Sequence, residues 1–196
     1  FKCDWSSDVC SSDLIAFLPS AVIGYFLKDF IQQRLFSTRI VSAALVYGAI
    51  LMLAVEKWRS KPRIDDMEGI TYKHALLIGV AQCMALLPGM SRSASTIIGG
   101  LLAGLSLSAS AEFSFFLAIP TMLGAALLSL LDGTSGLSFV EWTALATGFV
   151  VSFIVALFVV RKFIDFLSKH SLKPFAYYRL ALGIVMFIYA LLLAKY

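Results

Sequence analysis

The sequence predicts an all-α integral membrane protein, a polytopic helical bundle, on three observations. Of its 196 residues 60% are hydrophobic and 14% charged, and mean hydropathy is +0.88, well to the apolar side of ordinary soluble domains. Apolar runs recur at 14–27, 40–55, 75–87, 96–105, 113–131, 139–160 and 176–194, separated by short polar connections. No alternation of strand type repeats along the chain, which argues against an outer-membrane barrel.

Residues 1–13, FKCDWSSDVCSSD, differ from everything that follows: they are polar and internally repetitive (WSSD, CSSD), with no initiating Met, no basic leader and no signal-peptide layout. They are expected to be a non-native segment, with residues 14–196 forming one transmembrane domain. A helix needs about 20 apolar residues to cross the hydrocarbon. Four of the runs reach or approach that length, and 14–27, 75–87 and 96–105 do not.

Charge placement orients the bundle. The connection 57–73 carries Lys57, Arg59, Lys61, Arg63 and Lys73, and 161–173 carries Arg161, Lys162, Lys169 and Lys173, whereas 131–141 holds Asp132 and Glu141 without a Lys or Arg. Basic connections favour the cytoplasm, so the first two are expected there and the third outside. The net charge of +4 has this explanation and does not call for nucleic acid. If 113–131 runs outward, an even number of crossings separates 57–73 from the 106–111 corner. The two short runs between them meet at Pro88 and Gly89, which interrupt a helix. A re-entrant helix–loop–helix over residues 74–105 satisfies both constraints, and irregular backbone at that depth belongs in protein or beside a wet cavity. A further echo links FLPSAVIGYFL at 17–27 with AIPTMLGAALL at 118–128. Paired broken helices in an inverted repeat are a recurring membrane architecture, and here one half would be partly missing, upstream of residue 14.

The tip of the hairpin, LLPGMSRSAST at 86–96, carries the chemistry. Between His74 and Glu112 its Arg92 is the one formally charged side chain. Arginine at mid-membrane costs at least ~2.5–3.5 kcal/mol on insertion scales, which invites a functional reading. The guanidinium is a permanent planar fork matched to phosphate oxygens. Ser91, Ser93, Ser95 and Thr96 add hydroxyl donors, a helix N-terminus near Thr96 adds amides, and Gly89 lets the backbone turn and a ligand approach. Together they describe an anion cradle. The competing reading is that Arg92 snorkels or pairs structurally while the hydroxyls satisfy the broken helix. Gln82, about two turns earlier, reaches either a polar cavity or a neighbouring helix.

Other features have ordinary explanations. Cys3, Cys10 and Cys83 lack metal-ligand spacing. Glu112 suits a helix start, Arg179, His74 and His170 suit interfacial anchoring, and Tyr177 and Tyr178 suit an aromatic belt. The carboxylates of IDDMEG lie in a basic connection and read as a solvated loop.

The stretches AQCMALLPGMSRSAST, EFSFFLAIP and PFAYYR resemble those of the undecaprenyl-diphosphate phosphatase family, the bacitracin-resistance proteins of bacterial inner membranes. The signature PGxSRSxxT is met by Pro88, Gly89, Ser91, Arg92, Ser93 and Thr96. The resemblance runs from about residue 14 to 196. It implies hydrolysis of undecaprenyl diphosphate to the monophosphate and inorganic phosphate, for recycling of the envelope lipid carrier. It further implies a multi-pass protein with six spanning helices, two re-entrant hairpins and a pocket open to the periplasm. In this reading Arg92, Ser91 and Ser93 are the catalytic residues, and Gly89, Arg92, Thr96 and Gln82 bind the substrate phosphates. The partners implied are a polyprenyl diphosphate lipid and the bilayer, with a homodimer left open. A divalent cation, Mg or Ca, is also implied. Its ligands would sit on a first hairpin bearing paired acidic residues that has no counterpart here, so low activity of this chain by itself is expected. A transporter or lipid flippase with an anion site at a broken helix is the alternative, and a ligand-free membrane subunit is a third reading.

Overall fold

The computed structural model describes residues 7–58, 61–133 and 138–193. Arg59, most of the 1–13 segment's first half and part of the 131–141 connection lie outside the described residues. Among the described residues there are seven α-helices: α1 Ser7–Phe30, α2 Thr38–Trp58, α3 Tyr72–Gln82, α4 Arg92–Leu102, α5 Leu107–Gly133, α6 Phe139–Lys169 and α7 Lys173–Leu193. Five are long and apolar enough to cross a membrane, within 11–35, 38–58, 107–129, 139–169 and 173–192. This is the polytopic helical bundle read from composition.

The first crossing is longer than its apolar run. α1 passes through positions 13 and 14 without a break and ends in a π-helical turn, Ile31–Leu35, and Ser12 and Asp13 are buried. Hydropathy marks which residues meet lipid, whereas a helix continues wherever its backbone hydrogen bonds do. At the echoed motifs, Pro19 lies inside α1 and Pro120 inside α5. In each case the next hydroxyl bonds back to the preceding turn: Ser20 Oγ donates to the Phe17 carbonyl at 2.9 Å and Thr121 Oγ1 to that of Leu117 at 2.8 Å. Proline removes a backbone donor, and the adjacent hydroxyl returns one.

Helices α3 and α4, 11 residues each, are about 16 Å long at 1.5 Å per residue, half of what a crossing needs. Their outer ends are stitched together. Residues Ile64 and Leu105 form a parallel bridge, with Ser106 N donating to the Ile64 carbonyl at 2.8 Å and Arg63 N to that of Gly104 at 2.9 Å. The hairpin therefore leaves from the side on which it arrives. Lys61, Asp65, Ser106, Lys169 and His170 surround one cavity of about 790 Å³ at that end, so the two basic connections and the α4–α5 corner share a face, as the crossing count requires. The 31-residue α6, about 46 Å by the same rise, outruns the hydrocarbon. Its basic end is held by edge-on rings: Phe163 meets Phe115 at 5.8 Å and Phe175 at 5.3 Å.

Small residues bring the hairpin's helices together, as expected where lipid supplies no hydrophobic drive between helices. A side chain on Gly79 would strike the Ala16 backbone of α1, one on Gly99 would lie 2.6 Å from Ala81 Cβ of α3, and one on Gly100 would lie 2.5 Å from Ser110 Oγ of α5. Gly100→Val is expected to lower the stability of the detergent-solubilised protein by ~1–3 kcal/mol through overpacking. In the same thermal melts, Gly148→Ala in α6, where nothing lies within 4 Å of the added carbon, is expected to be neutral or stabilising by up to ~1 kcal/mol. Equal Tm values for Gly100→Val and the parent chain would contradict this packing.

Candidate active site

The site begins where α3 stops. After Gln82 the helix tightens into a 3-10 turn, Cys83–Leu86, and the chain reverses through Leu87, Pro88, Gly89 and Met90, with Met90 N donating to the Leu87 carbonyl at 3.0 Å. Gly89 has φ +97. Proline second and a positive-φ glycine third is the arrangement of a type II turn. A side chain at Gly89 would collide with the Val41 carbonyl and stand 3.1 Å from Ala44 Cβ, so the room glycine leaves is taken by α2. The turn lies against the first half of α2, from Val41 to Gly48.

Ser91 then starts α4. Its Oγ accepts from Ala94 N at 3.2 Å as the N-cap, and it lies 3.1 Å from Ser93 Oγ. The cap satisfies one of the four amide groups that a helix start leaves without intrahelical partners. Arg92 follows directly, half-buried, and its Nη1 donates to the Ser114 carbonyl of α5 at 3.2 Å. One of five guanidinium N–H groups is thus committed within the protein. The side chain lies against α5 in the bundle. Ser91, Arg92 and Ser93, with the first amides of α4, form one positive, donor-rich tip.

The next turn is closed. Ser95 and Thr96 are fully buried. Ser95 Oγ donates back to the Ser91 carbonyl at 3.0 Å, and Thr96 Oγ1 lies 3.0 Å from the Arg92 carbonyl and 2.7 Å from Ser114 Oγ. The Thr96 hydroxyl joins α4 to α5 beneath Arg92. Gln82 is also buried, at 3% exposure, and its Nε2 donates to Ser20 Oγ of α1; no hydrogen bond joins it to Ser91, Arg92 or Ser93 among the described residues. The structure therefore pairs the Ser91 and Ser93 hydroxyls at the start of α4, turns Arg92 to α5, ties Thr96 to Ser114, and uses Gln82 between α1 and α3.

Two contributors escaped sequence reading. Ser114 supports both Arg92 and Thr96, yet a serine in an apolar helix carries no distinguishing signal. Arg179 of α7 is buried rather than interfacial, and its Nη2 donates to the Gly89 carbonyl at 3.0 Å. A signal existed for it: within 174–194 it is the one charged residue, the same criterion that marks Arg92.

The donors round Arg92 are a guanidinium, hydroxyls and amides, a set made for an anion. No group of three or more His, Cys, Asp or Glu side chains suited to a metal ion occurs among the described residues. The donors among the described residues do not fit the divalent cation implied by the sequence resemblance.

A re-entrant hairpin packed among helices long and apolar enough to span a bilayer defines a polytopic membrane protein. Comparison with known proteins gives that class a family. The family described as "Bacitracin resistance protein BacA" matches residues 5–185, and the chain belongs to it. The chain is 56% identical over 183 residues to an undecaprenyl-diphosphatase of Thermoanaerobacter pseudethanolicus, covering 93% of this chain and 68% of the relative. It is 52% identical over 184 residues to an undecaprenyl-diphosphatase of Caldanaerobacter subterraneus subsp. tengcongensis, with the same coverage, 93% and 68%. Identity to undecaprenyl-diphosphatase 1 of Clostridioides difficile is 48% over 180 residues, covering 92% of this chain and 66% of that protein.

Removing the Thr96 hydroxyl leaves Ser114 Oγ without its buried partner. Thr96→Val is expected to destabilise by ~1–3 kcal/mol, the cost of an unsatisfied buried hydroxyl, and Ser114→Ala to recover part of that loss in the double variant. A thermal double-mutant cycle measures this; strictly additive changes would mean that the two hydroxyls do not act together.

Proposed function

We propose that the chain hydrolyses undecaprenyl diphosphate to undecaprenyl phosphate and inorganic phosphate in the lipid-carrier cycle of the bacterial envelope. The observation that carries this reading is the α4 N-terminus at the break in the helix, where the Ser91 and Ser93 hydroxyls stand 3.1 Å apart on either side of Arg92 in the sequence, in a chain of this family. Hydrolysis breaks the bond between the terminal phosphorus and the bridging oxygen, and water supplies the new oxygen. Negative charge on the phosphoryl oxygens must be met, and fixed donors in a site shielded from bulk water are effective at it. Arg92 offers a bidentate grip, and the amides opening α4 offer neutral donors with the helix dipole behind them.

The two serines divide the remaining work. Ser91 Oγ is an acceptor for the helix cap, so its own proton is free for Ser93 Oγ, and Ser93 can then direct its proton to a phosphate oxygen. The family name's substrate has a long prenyl tail, and the exposed apolar flanks of the helices offer it a lipid-level path. An inner-membrane location goes with this reading. With the basic face in the cytoplasm, the hairpin tip points away from it, and the diphosphate end is approached from the periplasmic side.

Release of inorganic phosphate from undecaprenyl diphosphate in detergent or vesicles tests the reading. Arg92→Ala and Arg92→Lys are both expected to lose at least ~100-fold in kcat/KM, because a point charge does not replace the fork. Near-normal turnover in Arg92→Lys would refute the bidentate grip. Translocation of the lipid across vesicles without phosphate release would replace the phosphatase reading by that of a carrier.

A further inference from the structure

Arg179 is a charged group that the chemistry above leaves unused, and its surroundings are expensive. It is 9% exposed. Nη2 reaches the Gly89 carbonyl at 3.0 Å across 90 positions of sequence, Nη1 lies 4.0 Å from Met52 Sδ, and Nε is buried without an acceptor. A permanent cation so placed is poorly compensated, and for packing alone an apolar side chain of similar size would serve as well or better.

The surrounding helices are nevertheless shaped to admit it. A Cβ on Gly48 would stand 2.7 Å from Nη2, 3.3 Å from Cζ and 3.1 Å from Met90 Sδ. Gly48 and Met52, one turn apart on α2, thus form a notch that the guanidinium occupies on its way to the hairpin turn. Gly183, one turn along α7, lets the two helices close: a side chain there would lie 2.8 Å from Val46 Cγ2 and 3.1 Å from Leu45 Cβ. The Gly89 carbonyl belongs to the peptide that leads, through Met90, into the Ser91 cap. Its orientation sets the plane of that peptide and hence the direction in which α4 begins.

We infer that Arg179 is the positioning residue of the site: by holding the Gly89 carbonyl through the Gly48 notch, it aims the α4 N-terminus with Ser91, Arg92 and Ser93 at the lipid diphosphate. The inference rests on the phosphatase reading for its substrate, while the clamp itself rests on the geometry. Errors of about 1 Å in placing a catalytic group cost on the order of 100-fold in rate.

The test uses the full chain in detergent with two readouts, amide hydrogen exchange over residues 88–93 and steady-state phosphate release from undecaprenyl diphosphate. Arg179→Met keeps the stem and removes the donor. It is expected to speed exchange over 88–93 about tenfold while leaving 97–102 unchanged, as the loss of one charge-assisted hydrogen bond implies. The same variant is expected to lower kcat about 100-fold with KM held within about threefold. Arg179→Lys, which regains one donor, should recover part of both effects. Unchanged exchange in folded Arg179→Met overturns the inference whatever turnover does, and so does faster exchange with unchanged kcat. If Arg179→Met does not fold, Gly48→Ala, which narrows the notch, should show the same pair of changes; parental exchange and kcat in that variant overturn the inference. Should the unmodified chain release no phosphate, the phosphatase reading fails separately, and the exchange data alone decide the clamp.

Discussion

A helix broken at mid-membrane has nowhere to send its loose backbone groups except to the protein itself, and the architecture of this chain follows from meeting that demand around Pro88 and Gly89. The turn closes on its own hydrogen bond between Leu87 and Met90. Ser91 caps the next helix, and Arg179 takes the outward carbonyl of Gly89. Beneath the tip, the Thr96 and Ser114 hydroxyls pair. The positive φ at Gly89 permits the turn, and α4 restarts two residues later at the Ser91 cap.

That solution requires close packing. α2 serves as the platform: Val41 and Ala44 lie under Gly89, and Gly48 admits the guanidinium from α7. α3 and α4 meet through Gly99, α4 and α5 through Gly100, and α3 and α1 through Gly79. Each contact puts backbone close to backbone, where dispersion and interhelical hydrogen bonds replace the hydrophobic drive that lipid does not provide. α6 takes little part in this centre; most of its side chains face outward, and it joins the bundle at its basic end through the Phe115, Phe163 and Phe175 rings. Close packing is thus concentrated around the hairpin.

Much of this was legible in the residues. Apolar runs located every helix, because burial in lipid imposes a compositional mark that local sequence carries. Parity of crossings, with Pro88 and Gly89 between two short runs, was enough to require a hairpin that turns back, and the bridge of Ile64 with Leu105 shows it doing so. Arg92, isolated in an apolar stretch, marked the start of the second half of that hairpin. What was not legible depends on partners far away in the chain. Gln82 faces α1 because Ser20 happens to stand there, Thr96 is closed off by a serine 18 positions on, and Gly89 is needed by α2 as much as by any ligand. The length of α1 was underestimated because hydropathy reports environment and not helical continuity. Arg179 met the criterion applied to Arg92, but its proximity to a helix start made anchoring the simpler account.

The separation of Gly89 from its clamp by 90 residues has a consequence for biosynthesis. At roughly 5–20 residues per second, α7 leaves the ribosome on the order of 5–20 s after the hairpin. During that interval the hairpin already has its platform, since α2 precedes it, but the turn's carbonyl has no guanidinium to receive it. The hairpin therefore forms against α2 first, and its turn is held by Arg179 only once α7 has entered the bilayer.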